Sequence, residues 1–296
     1  MANTLFAPKV FSNFTIQKLD RENVFVAHTN RAYEWDIKKA WDSVRVQTLP
    51  TLTFTANSIT GAWDMTTAQI WTWPGWPITA SDFAIVLENL IIDKYTEKLV
   101  RLTKHEITQS NLSLEEKVAE RFAEGLGTMY DDEIVKQILV TQVADIPTAN
   151  KINSASPVAL TSSNVYAEIM KLRAALKKKN VKVKNMRLFV STDVETVLLQ
   201  SDFVKGSDAW VGIMKTWYIG TVWGVQVYST TALDASNEMI MMAEGAVNFV
   251  TQLVDTDSAN WVDGSYMNVW STATWWMKIF AENAKAVAIN YVASVA

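Results

Sequence analysis

The sequence predicts an α+β protein. Three observations carry this: one long amphipathic helix over 113–140, β-branched and alternating runs on either side of it, and helix–strand alternation confined to the stretch beyond residue 142. The order is extended arm, long hairpin, long helix, α/β insertion and closing strands.

Residues 1–40 carry apolar side chains such as Phe6, Phe11, Phe14 and Phe25 with no sustained period, which reads as an extended arm. From Val44 the run VRVQTLPTLTFTA alternates like a strand, and Pro50 within it excludes a central, fully paired position, so an edge hairpin is expected. SITGAWD supplies a turn, WTWPGWP follows at 71–77, and FAIVLENLII returns as a strand. Ser113 and Glu116 then form an S-x-x-E capping box, with an acidic first turn at the positive end of the helix dipole. Leu114, Val118, Phe122, Leu126, Tyr130, Ile134 and Ile138 make one apolar stripe. At 1.5 Å per residue the helix would be about 40 Å long, with a mild bend expected at Gly125 and Gly127. A loop-like stretch with Pro147 and Pro157 marks a boundary near 142. Beyond it come a helix at SNVYAEIMKLRAALKKKNV, a buried strand at MRLFVST, and a helix at DVETVLLQS capped by Thr192 or Asp193. IGTVWGVQVYST, MIMMAEGA, AVNFVTQLV, WWMKIF and AVAINYV read as strands.

Composition limits the function. With 296 residues, 49% of them hydrophobic and 20% charged, the chain is globular and large enough for a sizeable core. A net charge of -4 argues against a protein whose main task is gripping phosphate backbones. There is no cysteine, hence no disulfide, thiolate nucleophile or Cys-ligated zinc. The N-terminus lacks a secretion signal, and FAIVLENLII, interrupted by Glu88 and Asn89, falls far short of the roughly 20 residues of a membrane helix. A soluble protein without a membrane partner is expected.

Little in the chain suggests catalysis or a cofactor. His28 and His105 are its two histidines, neither with a second at metal-ligand spacing, and both read as structural. No GxSxG, GxxxxGK[ST] or GxGxxG occurs, and GLG and VWGV are too short to cradle a phosphate. Asp131, Asp132 and Glu133 are adjacent, but neighbouring helix positions point about 100° apart, so they read as a solvated face or intersubunit salt bridge. Lys177, Lys178 and Lys179 could touch nucleic acid, but they close a helix, where cations offset the negative dipole end, and that reading is preferred. Trp71, Trp73 and Trp76 in WTWPGWP need cover. Burying one such ring removes roughly 150–250 Å² from water, worth about 4–6 kcal/mol as an upper bound. Only Thr72 and Thr79 lie near as polar groups for a sugar, so a second copy of the chain is the preferred partner. A carbohydrate-binding module or adhesin is the alternative, and an unrecognised enzyme using Asp132 or His105 comes third.

NRAYEWDIKKAWDSVRVQTLPTLTF, at 30–54, resembles a stretch of tailed-bacteriophage major capsid proteins, where Asn-Arg-x-Tyr-Glu leads through Ile-Lys-Lys to Asp-(Ser/Thr)-Val and a first loop strand. FAIVLENLII and the residues after it are similar to the family's returning strands, its Gln-Ser pair (Gln109, Ser110) and its spine helix ending in Asp-x-x-Ile (Asp131, Ile134). IGTVWGVQVYSTTAL and GAVNFVTQLVDTD resemble later segments. Trp35 and Trp41 depart from the pattern, standing where the family has glycine. The resemblance implies the Hong Kong 97 fold: an N-terminal arm (1–40), extended loop (41–82), peripheral domain with spine helix (83–142), axial domain (143–238) and closing strands (239–296), the last strand returning to the axial domain. It implies self-assembly, without catalysis, into hexamers and pentamers of an icosahedral head around double-stranded DNA bound without sequence specificity. Portal, scaffolding and decoration proteins would be further partners, with assembly in the host cytoplasm and the virion as destination. The short N-terminus leads to the expectation of a separate scaffold or a cleaved precursor. Arg45, Trp71, Trp73 and Trp76 on the loop, and Phe6, Phe11, Trp35 and Trp41 on the arm, would contact neighbouring subunits. Asp131, Asp132, Glu133 and Lys177–Lys179 would be interior or salt-bridge charges.

Overall fold

The computed structural model describes residues 24–32, 43–48, 86–91, 94–103, 114–201, 218–260 and 266–295. The chain forms two compact units, Val44–Leu90 and Met1–Ser43 with Ile91–Ala296. In the smaller, β1 (Ser43–Thr48) pairs with β2 (Val86–Ile91). The strand-like start of VRVQTL is therefore closed by the returning strand.

The larger unit is built on two sheets. One is antiparallel, in the order β10 (Asn248–Asn260), β11 (Tyr266–Lys278), β3 (Lys94–Thr103), with a bulge between Leu253 and Asp255. Helix α1 (Leu114–Lys136) lies on one face of it. Its apolar stripe decides this. Phe122 packs with Leu102 and Val269 at one end, while Tyr130, Ile134 and Ile138 pack with Phe249, Ala273, Trp275 and Met277 at the other. The Tyr130 ring meets Phe249 and Trp275 edge-on at 5.1 and 5.4 Å, the geometry favoured by aromatic quadrupoles. The helix runs unbroken past Gly125 and changes pitch only at its end, where Gln137–Thr141 form a π turn. Gln142 fixes that exit: its amide donates to the Ile279 carbonyl at 3.1 Å and accepts the Ile279 N–H at 2.7 Å.

The second sheet has six strands in the order β4 (Lys151–Ile152), β12 (Val287–Asn290), β9 (Met239–Ala243), β6 (Met186–Val190), β8 (Val225–Ser229), β7 (Tyr218–Val222). Here the sequence reads as continuous apolar runs because both faces are covered. Met186, Leu188, Val190, Met239 and Met241 face α2 (Val165–Lys178) and α3 (Thr192–Gln200), while Phe189, Ile240, Met242 and Ile289 join the core containing α1. A short pairing of β5 (Val158–Leu160) with β13 (Val292–Val295) completes the described part.

The cap of α3 differs from expectation. Ser191 is the N-cap, accepting the Val194 N–H, and Thr192 instead donates its N–H to Asp234 at 2.9 Å. Met186–Val190 ends two residues earlier than the strand pattern suggests, which frees the serine for that role.

Candidate functional site

Three surfaces and anchors of the larger unit bear on function. The first is built on the acidic triplet of α1. Asp131, Asp132 and Glu133 do point apart, but only Asp132 faces solvent. Asp131 is buried, contrary to the expected solvated face, because its position continues the apolar stripe. Its two carboxylate oxygens accept the N–H groups of Val24 and Phe25, each at 3.1 Å. Burial pushes this carboxyl up to about 7; the N–H groups of Val24, Phe25 and Val26 pull the other way, and the Asp132 charge adds to the rise. Glu133 is half-buried between Lys94 of β3 and Lys136. Burial disfavours its charge, yet the hydrogen bonds and charges of these two lysines outweigh it and hold Glu133 below its usual value.

Asp131 thereby docks the segment 24–32 onto the core. Phe25 stacks on Phe189 with centroids 4.1 Å apart, and His28 tilts against Tyr228 at 4.5 Å. Asn30 donates its backbone N–H to Val247 at 2.8 Å and accepts that of Phe249 at 3.1 Å, adding one bridge to the end of β10. Burial lowers the His28 pKa, with the Arg187 charge acting in the same direction. The stretch expected within an extended arm is therefore, at 24–32, an integral part of the fold.

The second surface is the face of the three-stranded sheet turned away from α1. Tyr95 and Leu99 are 59% and 52% exposed, and β3 is an edge strand among the described residues. Leu99 pairs across the ladder with Trp270, and Arg101 lies 5.4 Å from the centre of the Tyr266 ring. An uncovered edge with exposed large side chains is a pairing hazard for a lone monomer and an asset for one that assembles.

The third surface is basic. Lys177, Lys178 and Lys179 are exposed at the end of α2, as expected of helix-closing lysines. Asn180, at φ 63°, makes the left-handed exit there.

The other expected contact residues are differently placed. Arg45 lies on β1, while Phe6, Phe11, Trp35, Trp41, Trp71, Trp73, Trp76 and His105 lie outside the described residues. Sequence reasoning passed over Tyr95, Leu99 and Trp223. The last is 54% exposed with φ 52°, in a turn that splits the single strand expected at IGTVWGVQVYST into the hairpin β7–β8; the V-W-G-V stretch itself is too short for a phosphate cradle. Among the described residues no group of three His, Cys, Asp or Glu could hold a metal ion, and no helix is long and apolar enough to cross a membrane.

No protein-family model matches the chain, and no curated protein matches it in sequence. Solved structures do. The capsid structure of the cyanophage P-SCSP1u aligns with TM-score 0.66 at 11% identity, covering 92% of this chain and 88% of that one. A structure from Mycobacterium phage Che8 aligns with TM-score 0.64 at 18% identity, covering 90% of each chain. The virus-like particle from Pyrococcus furiosus aligns with TM-score 0.54 at 12% identity, covering 94% and 96%. At such identities the likeness is one of fold: the chain shares its α+β fold with these structures.

Proposed function

We propose that this chain is the major capsid protein of a tailed double-stranded DNA bacteriophage, built on the Hong Kong 97 plan. One observation carries the reading: a fold shared with a phage capsid structure over about nine tenths of both chains, 92% and 88%. The sequence resemblance, found independently in several segments in the right order, supports the same assignment. Hexamers and pentamers of the subunit would close an icosahedral head around the genome, with portal, scaffolding and decoration proteins as further partners. The role is mechanical, and no reaction is catalysed.

The division into arm, extended loop, peripheral and axial domains is part of this proposal. In it the loop between β1 and β2 reaches a neighbouring subunit through Arg45 and WTWPGWP, and the arm through Phe6, Phe11, Trp35 and Trp41. The mechanism is multivalent burial. Each subunit makes several modest contacts, and closure turns later ones into effectively intramolecular events, so the shell outlasts any one contact. The exposed Tyr95 and Leu99 on the β3 edge suit a surface completed by assembly. Electron microscopy of the purified protein under assembly conditions is expected to show closed shells of uniform size. A protein that stays monomeric by light scattering under all such conditions refutes the proposal.

A further inference from the structure

Charge along this chain is strongly segregated. Residues 169–192 carry eight cationic side chains and no acidic one, whereas the whole chain has 27 cationic and 31 acidic residues. Two of the eight are neutralised locally, Lys171 by Glu168 at 2.7 Å and Arg187 by Glu244 at 2.9 Å. Lys177, Lys178, Lys179, Lys182 and Lys184 are exposed, and none pairs with an acidic group among the described residues.

The fold gathers these five. At the end of α2 the Asn180 N–H donates to Lys177 at 3.0 Å and the Val181 N–H to Leu176 at 3.2 Å, a Schellman closure that turns the chain back on itself. A single 3-10 turn, Val183–Asn185, follows and carries Lys184 next to Lys182. The helix dipole explains cations at 177–179, but it fades within a turn and gives no reason for Lys182 and Lys184.

The turn packed beside them carries an aromatic residue. The turn joining β7 to β8 is Trp223-Gly224, and a Cβ on Gly224 would sit 3.4 Å from Val183, the residue between the two lysines. Trp223 holds φ 52°, a region costly for a bulky residue, while remaining 54% exposed. Asn or Gly would serve this turn better, so turn geometry does not account for a tryptophan here.

We infer that Lys177, Lys178, Lys179, Lys182, Lys184 and Trp223 form a binding surface for the phosphodiester backbone of nucleic acid, read without sequence preference. Five point charges within eight residues match closely spaced phosphates, and an exposed ring offers a sequence-tolerant face for a base or sugar. A second copy of this chain is the poorer match. Its longest acidic run is Asp131–Glu133, of which Asp131 is buried and Glu133 already paired. The binding follows from this geometry alone; that the ligand is an enclosed genome rests on the shell reading.

The test is fluorescence anisotropy with the full-length unassembled chain, a short labelled duplex and its single strand, between about 50 and about 200 mM salt. Five phosphate contacts on duplex predict an affinity loss of about 500-fold over that range, and the K177Q/K178Q/K179Q variant, with two contacts left, about 12-fold. W223G is expected to weaken single-strand binding about tenfold and duplex binding less. No binding at low salt, an unchanged salt slope in the triple variant, or unchanged single-strand affinity in W223G overturns the inference. Loss of shell formation in the triple variant with its salt slope unchanged also overturns it, marking a contact between copies. Shell formation by wild type is scored in parallel by electron microscopy. Shells without nucleic-acid binding reject this surface alone; binding without shells rejects the shell reading alone.

Discussion

Asp131→Asn is the sharpest probe of how the segment at 24–32 is held. The wild-type carboxyl, raised to about 7 in the folded chain, titrates near 3.9 when unfolded. Between these values the folded state binds the extra proton, so stability from this group is fully present below about pH 3.9 and is lost as pH rises through about 7. The slope is about 1.4 kcal/mol per pH unit, or about 3 kcal/mol from pH 5 to pH 8. Asparagine is nearly isosteric and does not titrate. It keeps one carbonyl oxygen for the Val24 or Phe25 N–H and turns a donor toward the other, a loss of about 1–3 kcal/mol. The variant should therefore be less stable than wild type at about pH 5 and equal or more stable at about pH 8. His28 acts with the opposite sign, its depressed pKa favouring the folded state as pH rises toward the ordinary imidazole value. That contribution is common to both proteins and cancels in their difference. Denaturant unfolding of the unassembled subunit at several pH values measures the crossing. A difference that stays constant with pH, or grows in favour of wild type as pH rises, refutes the burial account of Asp131.

Other outcomes follow from the same packing. Phe189→Ala removes a fully buried ring stacked on Phe25 and flanked by Tyr228, and should cost about 3–5 kcal/mol in denaturant unfolding. Glu168 accepts from Asn153 at 2.8 Å, Asn290 at 3.1 Å and Lys171 at 2.7 Å, so Glu168→Ala leaves the Asn290 amide without this acceptor and the Asn153 amide with Asn290 alone, and should cost about 2–5 kcal/mol by the same measurement. Trp223→Gly relieves a left-handed conformation and should leave thermal stability unchanged or raise it by about 1 kcal/mol, as read by calorimetry. Trp73→Ala should leave circular dichroism unchanged and lower shell yield or melting temperature; unchanged shell melting would remove WTWPGWP as a contact between subunits.

The large elements were legible because their periods are unambiguous. Tyr130, Ile134 and Ile138 recur at helical spacing, and all three are fully buried against the long sheet. MIMMA and MRLFV were readable as strands, but their continuous apolar runs could not say that alternate residues serve two different cores, since that depends on α1 and α2 lying on opposite faces. The α3 cap moved by one residue because Ser191, Thr192 and Asp193 can each accept an N–H, and only the end of β6 decides which of them is free.

The residues of the candidate site were harder to see, and for one reason. Asp131 sits three before Ile134 and seven before Ile138, a core position by spacing, yet its charge argued for solvent. Trp223 occupies a turn position where bulk argues against a left-handed backbone. In both places the residue contradicts the rule that describes its neighbours, and local reasoning resolves such a conflict toward the rule. The structure resolves it the other way, because the partners come from afar: residues 24 and 25 lie more than a hundred positions from Asp131, and Val183 lies forty from the turn it touches. A residue held against its local preference by distant contacts is a stronger pointer to function than one that satisfies every local rule. On that ground the docked segment at 24–32 and the lysine surface beside Trp223, rather than the tryptophan density of the sequence as a whole, are the places where single substitutions should separate folding from assembly and from binding of nucleic acid.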